Sequence, residues 1–179
     1  YLYAYKDLTK PNYFGHKKKL NKKWYDGTTG IRPIDDSIKF AFQTGYLHHI
    51  IRLMVVSNFM NLCRIKPDDC YKWFMEFAVD SYDWVMIQNV YSMGQWADGG
   101  LTMRKPYISS DNYIVNMSNY KREDWGEKWN NLYYYFISDL EDKLKKTPYI
   151  RNLVHWKKKS KKDRDEIIKS SKRIIKNLT

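Results

Sequence analysis

The sequence predicts an all-α fold with unusually long ordered loops. Apolar residues recur at three- and four-residue steps through several segments, and no stretch alternates apolar and polar residues as a half-buried strand would. Size sets a further bound. With 179 residues, 43% of them hydrophobic, the chain can bury one sizeable core and not comfortably two. Residues 1–179 are therefore expected to form a single domain, with a basic tail over about 157–179. The same composition argues against general disorder.

The elements follow in order. Residues 1–23 are polar, and Pro11 and Gly15 interrupt any long helix there. WYDGTTGIRPIDD, residues 24–36, is loop-like, and Asp35 or Asp36 is placed to cap the helix that follows. From Ser37 to Leu62, the residues Ile38, Phe42, Tyr46, His49, Leu53, Val56 and Met60 lie one helical step apart, which predicts a continuous helix. Pro67 opens the next helix, with Asp68 or Asp69 near its start. Its run DDCYKWFMEFAVDSYDWVM carries aromatics on several faces, the pattern of a buried helix. Residues 89–113 contain Gly94, Gly99, Gly100 and Pro106 and predict ordered loops with short helical turns. A further helix is expected over 126–146, where Trp129, Leu132, Tyr133, Phe136, Ile137, Leu140 and Leu144 share a stripe that Pro148 ends. From about Ser160 the tail reads as a basic amphipathic helix with Ile167, Ile168, Ile174 and Ile175 on its apolar side.

The formal net charge of +12 is unevenly placed. Residues 1–23 carry seven lysines against one aspartate, and residues 157–179 carry ten basic residues against three acids, so the middle of the chain is close to neutral. A neutral body with two basic ends suggests a polyanionic partner. Cys63 and Cys70 belong to no CxxC and no zinc-ligand spacing, and read as reduced core residues of an intracellular protein. No signal peptide is expected, and no apolar run approaches the length that spans a bilayer. The chain opens on Tyr1 rather than methionine, which suggests a fragment or a processed piece. Dinucleotide-fold, Walker, GxSxG and HExxH motifs are missing, so hydrolase and kinase readings have no support.

One stretch stands out chemically. GYLHHIIRLM, residues 45–54, sets His48, His49 and Arg52 into an apolar segment. On a helix, His48 and Arg52 are four residues apart and His49 and Arg52 three, so the group can converge on one side. A buried arginine needs an anionic partner, and Asp80 or Asp83 on the following helix is the natural candidate. The alternative is that both histidines are satisfied core groups bonded to backbone carbonyls. Trp73, Phe74, Phe77, Tyr82 and Trp84 fall within twelve positions, and core packing explains most of them.

Taken together, WYDGTTGIRPIDDSI, GYLHHIIRLM, WFMEFAVDSYDWVMIQNVYSMGQWADGG, KPYISSDNYIVNMS and LYYYF, in that order, resemble the carboxy-terminal, flavin-binding part of the photolyase/cryptochrome superfamily. The similarity is greatest to the prokaryotic-type (6-4) photolyases and covers roughly residues 10–156. It implies an all-α FAD-binding domain, light-driven electron transfer from reduced FAD to a flipped-out pyrimidine dimer, and damaged DNA as partner. It implies FAD contacts from Tyr46, His48, His49, Arg52, Asp80, Met86 and Asn89, with His49 between flavin and lesion and Arg52 paired with Asp80. It implies photoreduction through Trp73 and, further out, Tyr25, and DNA contacts from Arg104, Lys105 and Tyr107 of the RKPY loop and from the basic segments.

The sequence also departs from that family. Pro33 stands where a first iron–sulfur cysteine is expected, and KREDWGEKWNN after MSNY holds no cysteine, so no iron–sulfur cluster is expected. Met86 falls where an Asn or an acid faces flavin N5. Leu53 replaces a second active-site histidine of the eukaryotic enzymes, and Val90 occupies the flavin-proximal position of the tryptophan triad. The amino-terminal antenna domain and the earlier half of the flavin domain are not in the sequence, which suggests a fragment or one half of a split photolyase. The competing readings are a non-catalytic flavin or DNA-binding module, cryptochrome-like or a degenerate remnant, and a basic helical DNA-binding protein without cofactor.

Overall fold

The computed structural model describes residues 11–179, so Lys6, Asp7 and Lys10 of the basic amino-terminal segment lie outside it. The described residues are helical, with no sheet and one isolated parallel bridge between Lys18 and Ile65. They fall into two compact units, one running to Ile108 and including Leu178–Thr179, the other Ser109–Asn177.

In the first unit, α1 is the single turn Lys23–Asp26, closed by Gly27 in the left-handed region. Helix α2, Arg32–Thr44, has Ile31 at its N-cap position and Pro33 in its first turn. Neither Asp35 nor Asp36 is the cap. The Asp35 carboxylate instead accepts the Thr29 amide at 2.7 Å, the Thr29 hydroxyl at 2.6 Å and the Gly30 amide at 3.0 Å, which ties the loop before the helix to its first turn.

The continuous helix expected from Ser37 to Leu62 is broken. Gly45, with φ +69°, ends α2 and donates its amide to the Ala41 carbonyl at 2.8 Å. Helical backbone resumes at 49 as α3, which is π-helical over Ile51–Ser57 and α-helical over Asn58–Leu62. Four residues, 45–48, separate the two helices, close to one helical turn. The apolar period therefore keeps its phase across the break and hides it.

Helix α4, Pro67–Phe77, begins where proline predicts and stops short of the expected run. Ala78 is extended, and helix resumes as α5, α-helical over Asp83–Ile87 and π-helical over Gln88–Gly94. The gap exists because the Val79 amide donates to the Gly45 carbonyl at 2.9 Å instead of to its own helix. The π-helical parts of α3 and α5 pack on each other. Gly94 permits this, since a Cβ there would come 2.6 Å from Ser57 Oγ. The Gln95 amide side chain then donates to the Ser57 carbonyl at 3.0 Å. Trp24, Ile34, Ile38, Val56, Phe59 and Trp73 fill the core of this unit, and Trp24 Nε1 donates to the Leu178 carbonyl at 2.9 Å.

The second unit comprises α6, Asp111–Met117; α7, Asp124–Asp139; α8, Glu141–Leu144; a 3-10 turn, Pro148–Arg151; α9, Asn152–Lys157; and most of α10, Lys161–Leu178. The predicted helix over 126–146 is thus two helices, interrupted at Leu140, whose φ of −110° and ψ of 24° leave the helical region. Its stripe is nevertheless the core: Trp129, Leu132, Tyr133, Phe136, Ile137 and Leu144 are buried. Trp129 Nε1 donates to the Ser109 carbonyl at 2.9 Å.

Substituting Gly45 with alanine would force a left-handed alanine and bring its Cβ 2.8 Å from Val79 Cγ1. Urea denaturation of Gly45→Ala is expected to show a loss of about 1–3 kcal/mol.

Candidate functional site

Arg52 organises the first unit's chemistry. It lies in the π-helical part of α3 and is only 5% exposed. Its Nε donates to the Leu47 carbonyl at 2.6 Å, and its Nη2 donates to both Asp80 oxygens, at 2.7 and 2.9 Å. Nη1 points to Met86 Sδ at 3.7 Å, and the guanidinium lies 5.6 Å from the Tyr46 ring centroid. Of the two candidate partners, Asp80 takes the arginine, while Asp83 accepts the Tyr71 hydroxyl. Asp80 sits in the non-helical link between α4 and α5, with its side chain 48% exposed.

The histidines are not core groups. Both are exposed. His48 Nδ1 accepts the Ile50 amide at 3.2 Å, satisfying an amide at the start of α3, which leaves the ring proton on Nε2. His49 stands free of that role. Partial burial, then the positive charge of Arg52 and neighbouring His48, push its imidazole below the ordinary value. Met86 is buried, and Asn89 is half-buried in the π-helical part of α5.

Residues close in sequence to Arg52 and Asp80 are exposed and apolar. Tyr46, Ile50, Val79, Tyr82 and Trp84 are all exposed, Val79 by 80%, Tyr82 by 63% and Trp84 by 64%. The two segments that carry them are joined by the Val79–Gly45 hydrogen bond. Core packing accounts for Trp73, Phe74 and Phe77, as expected for most of the five aromatics between 73 and 84, while Tyr82 and Trp84 lie beyond the interruption of the helix at Ala78 and are exposed.

Trp73 is fully buried in α4, with its ring centroid 4.8 Å from Phe77 and 5.8 Å from Phe42. Tyr25, exposed, lies 6.0 Å from Phe42 on the other side. Trp73 Nε1 donates to the Trp24 carbonyl at 2.9 Å, whose peptide group continues directly into Tyr25. Burial first, then the negative charge of Glu76 and a hydrogen bond to it, raise the Tyr25 phenol above its ordinary value. The pairing with Glu76 has no signal in the sequence. Arg104 and Lys105 are exposed in the loop before Ile108, and Tyr107 is half-buried there. Cys63 and Cys70 are both free and buried, and burial raises both thiols. Among the described residues no three His, Cys, Asp or Glu side chains group closely enough to hold a metal ion.

The comparisons bear on this arrangement. Residues 4–169 match the family described as the FAD binding domain of DNA photolyase. The chain belongs to that family. It is a photolyase/cryptochrome-type flavoprotein, and its cofactor is FAD. It is 35% identical over 155 residues to a (6-4) photolyase of Agrobacterium fabrum, which covers 81% of this chain and 31% of that photolyase. It is 53% identical over 126 residues to an uncharacterized protein of Acanthamoeba polyphaga mimivirus, across 70% of this chain and 100% of the relative. A second uncharacterized protein of the same virus is 51% identical over 45 residues, 25% of this chain and 34% of that protein. The chain therefore spans about a third of the photolyase and the whole of the first viral relative.

The residues present fit such a cofactor. A flavin is planar and apolar on its faces and polar at its edge. The first unit offers a fixed guanidinium with the exposed Tyr46 ring beside it and a half-exposed carboxylate as its partner.

Replacing Asp80 with alanine would leave a buried guanidinium without its carboxylate. Because Asp80 is half-exposed and water can partly replace it, Asp80→Ala is expected to cost about 1–3 kcal/mol in urea denaturation, with Asp80→Asn between it and the parent. An NMR titration of the imidazoles, with His49 assigned by His49→Gln, is expected to place its midpoint below the roughly 6.5 of a free histidine. His48→Gln should move that midpoint upward, because it removes a lowering influence.

Proposed function

We propose that the chain is the flavin-holding carboxy-terminal part of a (6-4) photolyase-like DNA repair protein. The observation that carries the reading is the Arg52–Asp80 pair, with the Tyr46 ring against the guanidinium and His49 exposed three residues before Arg52. The similarity to the Agrobacterium (6-4) photolyase supports it. FAD, when bound, supplies the photo-excitable one-electron donor.

The chain's own residues then have separable tasks. Arg52, held by Leu47 and Asp80, presents a fixed positive charge that does not reorganise. Tyr46, Tyr82 and Trp84 supply aromatic surface that excludes water. His49, with its imidazole pushed down and so neutral at physiological pH, holds a proton on one ring nitrogen and presents it to an extruded base. Trp73 and Tyr25 connect interior and surface through Phe42 and the Trp24 carbonyl. Arg104, Lys105 and Tyr107 contact the damaged duplex, whose weakened stacking lowers the cost of extruding the lesion.

In this reading a polypeptide that carries the remaining part of a photolyase completes the site, and the damaged-DNA substrate is met inside the cell. A non-repairing, photosensory reading is favoured by one observation. Met86 fills the place beside Arg52 with a sulfur that carries no charge and no hydrogen-bond donor.

In protein reconstituted with the remaining portion and FAD, His49→Ala is expected to retain the visible flavin absorption and to lose (6-4) lesion repair by at least about 100-fold, the contribution of one positioned proton donor. Undiminished repair by that variant would remove His49 from the mechanism. Flavin absorption without repair in the parent protein would favour the photosensory reading.

A further inference from the structure

The buried tryptophans Trp24, Trp73, Trp96, Trp125 and Trp129 each donate the indole N–H to a backbone carbonyl, at distances between 2.7 and 3.2 Å. Trp156, on α9, differs. It is 6% exposed, yet among the described residues its N–H has no hydrogen-bond acceptor. A buried indole N–H ordinarily has one, because an unpaired donor is costly away from water. This one is not sealed in, since its nitrogen keeps accessible surface.

The Trp156 ring lines a surface cavity of about 440 Å³ within the second unit. That volume is typical of small-molecule sites, which run to roughly 300–1,000 Å³. The ring is stacked on Tyr134, with 6.2 Å between centroids and 16° between planes, so its orientation is fixed. Helix α7 contributes Asp139 to the same cavity, and α10 contributes Lys161, Arg164, Asp165 and Ile168. Arg164 is half-buried. Among the described residues neither it nor Lys161 nor Asp165 forms an ion pair. Lys161 and Asp165 stand four residues apart on one helix and still do not pair. Opposite charges thus line one cavity without neutralising one another.

This lining selects a ligand by its charge. Two cations and two carboxylates sum to zero, so a polyanion drawn to Lys161 and Arg164 also meets Asp139 and Asp165. A purely apolar ligand would strip water from the Arg164 guanidinium and the Trp156 N–H and offer no acceptor in return. A small molecule that carries both signs of charge on an apolar body satisfies all three kinds of surface.

We propose that this cavity binds a free α-amino acid with an aromatic or aliphatic side chain. The Arg164 guanidinium, with the Trp156 N–H, takes the carboxylate. Asp165 takes the ammonium group, and Trp156 and Ile168 take the side chain. Arg52, Asp80 and His49 belong to the first unit, so the proposal rests on neither flavin, light nor damaged DNA.

The test is isothermal titration calorimetry of the full chain, in the dark and without added flavin, with L-phenylalanine and L-leucine as probes. A dissociation constant of about 1 mM or below is expected, the level that ligand efficiency allows molecules of this size. N-acetyl-L-phenylalanine, which lacks the ammonium charge, and phenethylamine, which lacks the carboxylate, are each expected to bind at least about 10-fold more weakly than L-phenylalanine. Arg164→Gln is expected to lose at least about 10-fold in affinity, and Arg164→Lys to keep part of it. Trp156→Phe, which keeps a ring for Tyr134 but has no donor, is expected to lose roughly 3- to 10-fold. Thermal melts of the parent and the three variants check that each is folded. Absence of binding by both amino acids at about 10 mM overturns the proposal. So does affinity that Arg164→Gln leaves unchanged, or equal binding of inorganic phosphate, which marks a plain anion site.

Discussion

A guanidinium withdrawn from water has to be neutralised and hydrogen-bonded, or the fold around it does not hold. Arg52 meets that demand with the Leu47 carbonyl, the Asp80 carboxylate and the Met86 sulfur. These partners come from the turn before α3, the link before α5 and α5 itself, so one side chain fixes three segments at once. Breaking any of these contacts exposes the cost of a buried charge, which is why the irregular backbone on both sides of Arg52 is retained. The same interaction serves function, because a charge already held in place needs no reorganisation when a ligand arrives.

The backbone irregularities around the site share a cause. Gly45 stops α2, Ala78 stops α4, and the two freed segments hydrogen-bond to each other through Val79 and Gly45. Beyond each gap the helix restarts and passes through a π-helical run, Ile51–Ser57 or Gln88–Gly94. The wider π-helical turns are matched across the interface by Gly94, which lets Ser57 come close. Interrupting the helices takes Tyr46, Asp80 and Tyr82 out of helical backbone, and Trp84 lies exposed in the first turn of the restarted α5.

The aromatics divide accordingly. Trp24, Phe59, Trp73, Phe74 and Phe77 pack in the interior, and the indole N–H groups of Trp24 and Trp73 donate to backbone carbonyls. Tyr46, beside the Arg52 guanidinium, and Tyr82 and Trp84, which follow Asp80 in the chain, remain exposed. Tyr25 stands between the two sets, in reach of the buried cluster through Phe42 and of Glu76 at the surface.

By itself the sequence determined the all-α class, the buried stripe Trp129 to Leu144, the start of α4 at Pro67 and the convergence of Arg52 with a nearby aspartate. Each of these follows from local periodicity, from proline geometry or from the cost of an unpaired charge. Its five ordered motifs also carried the photolyase resemblance that the comparisons bear out. The tertiary structure alone decided where the long helices break. A four-residue interruption at Gly45–His48 preserves the apolar phase, and the hydrogen bond that stabilises the break comes from Val79, distant in sequence. It also decided that Asp80 rather than Asp83 meets Arg52, and that His48 and His49 face solvent. Exposure and pairing are properties of segments brought together in space, and one-dimensional spacing cannot carry them.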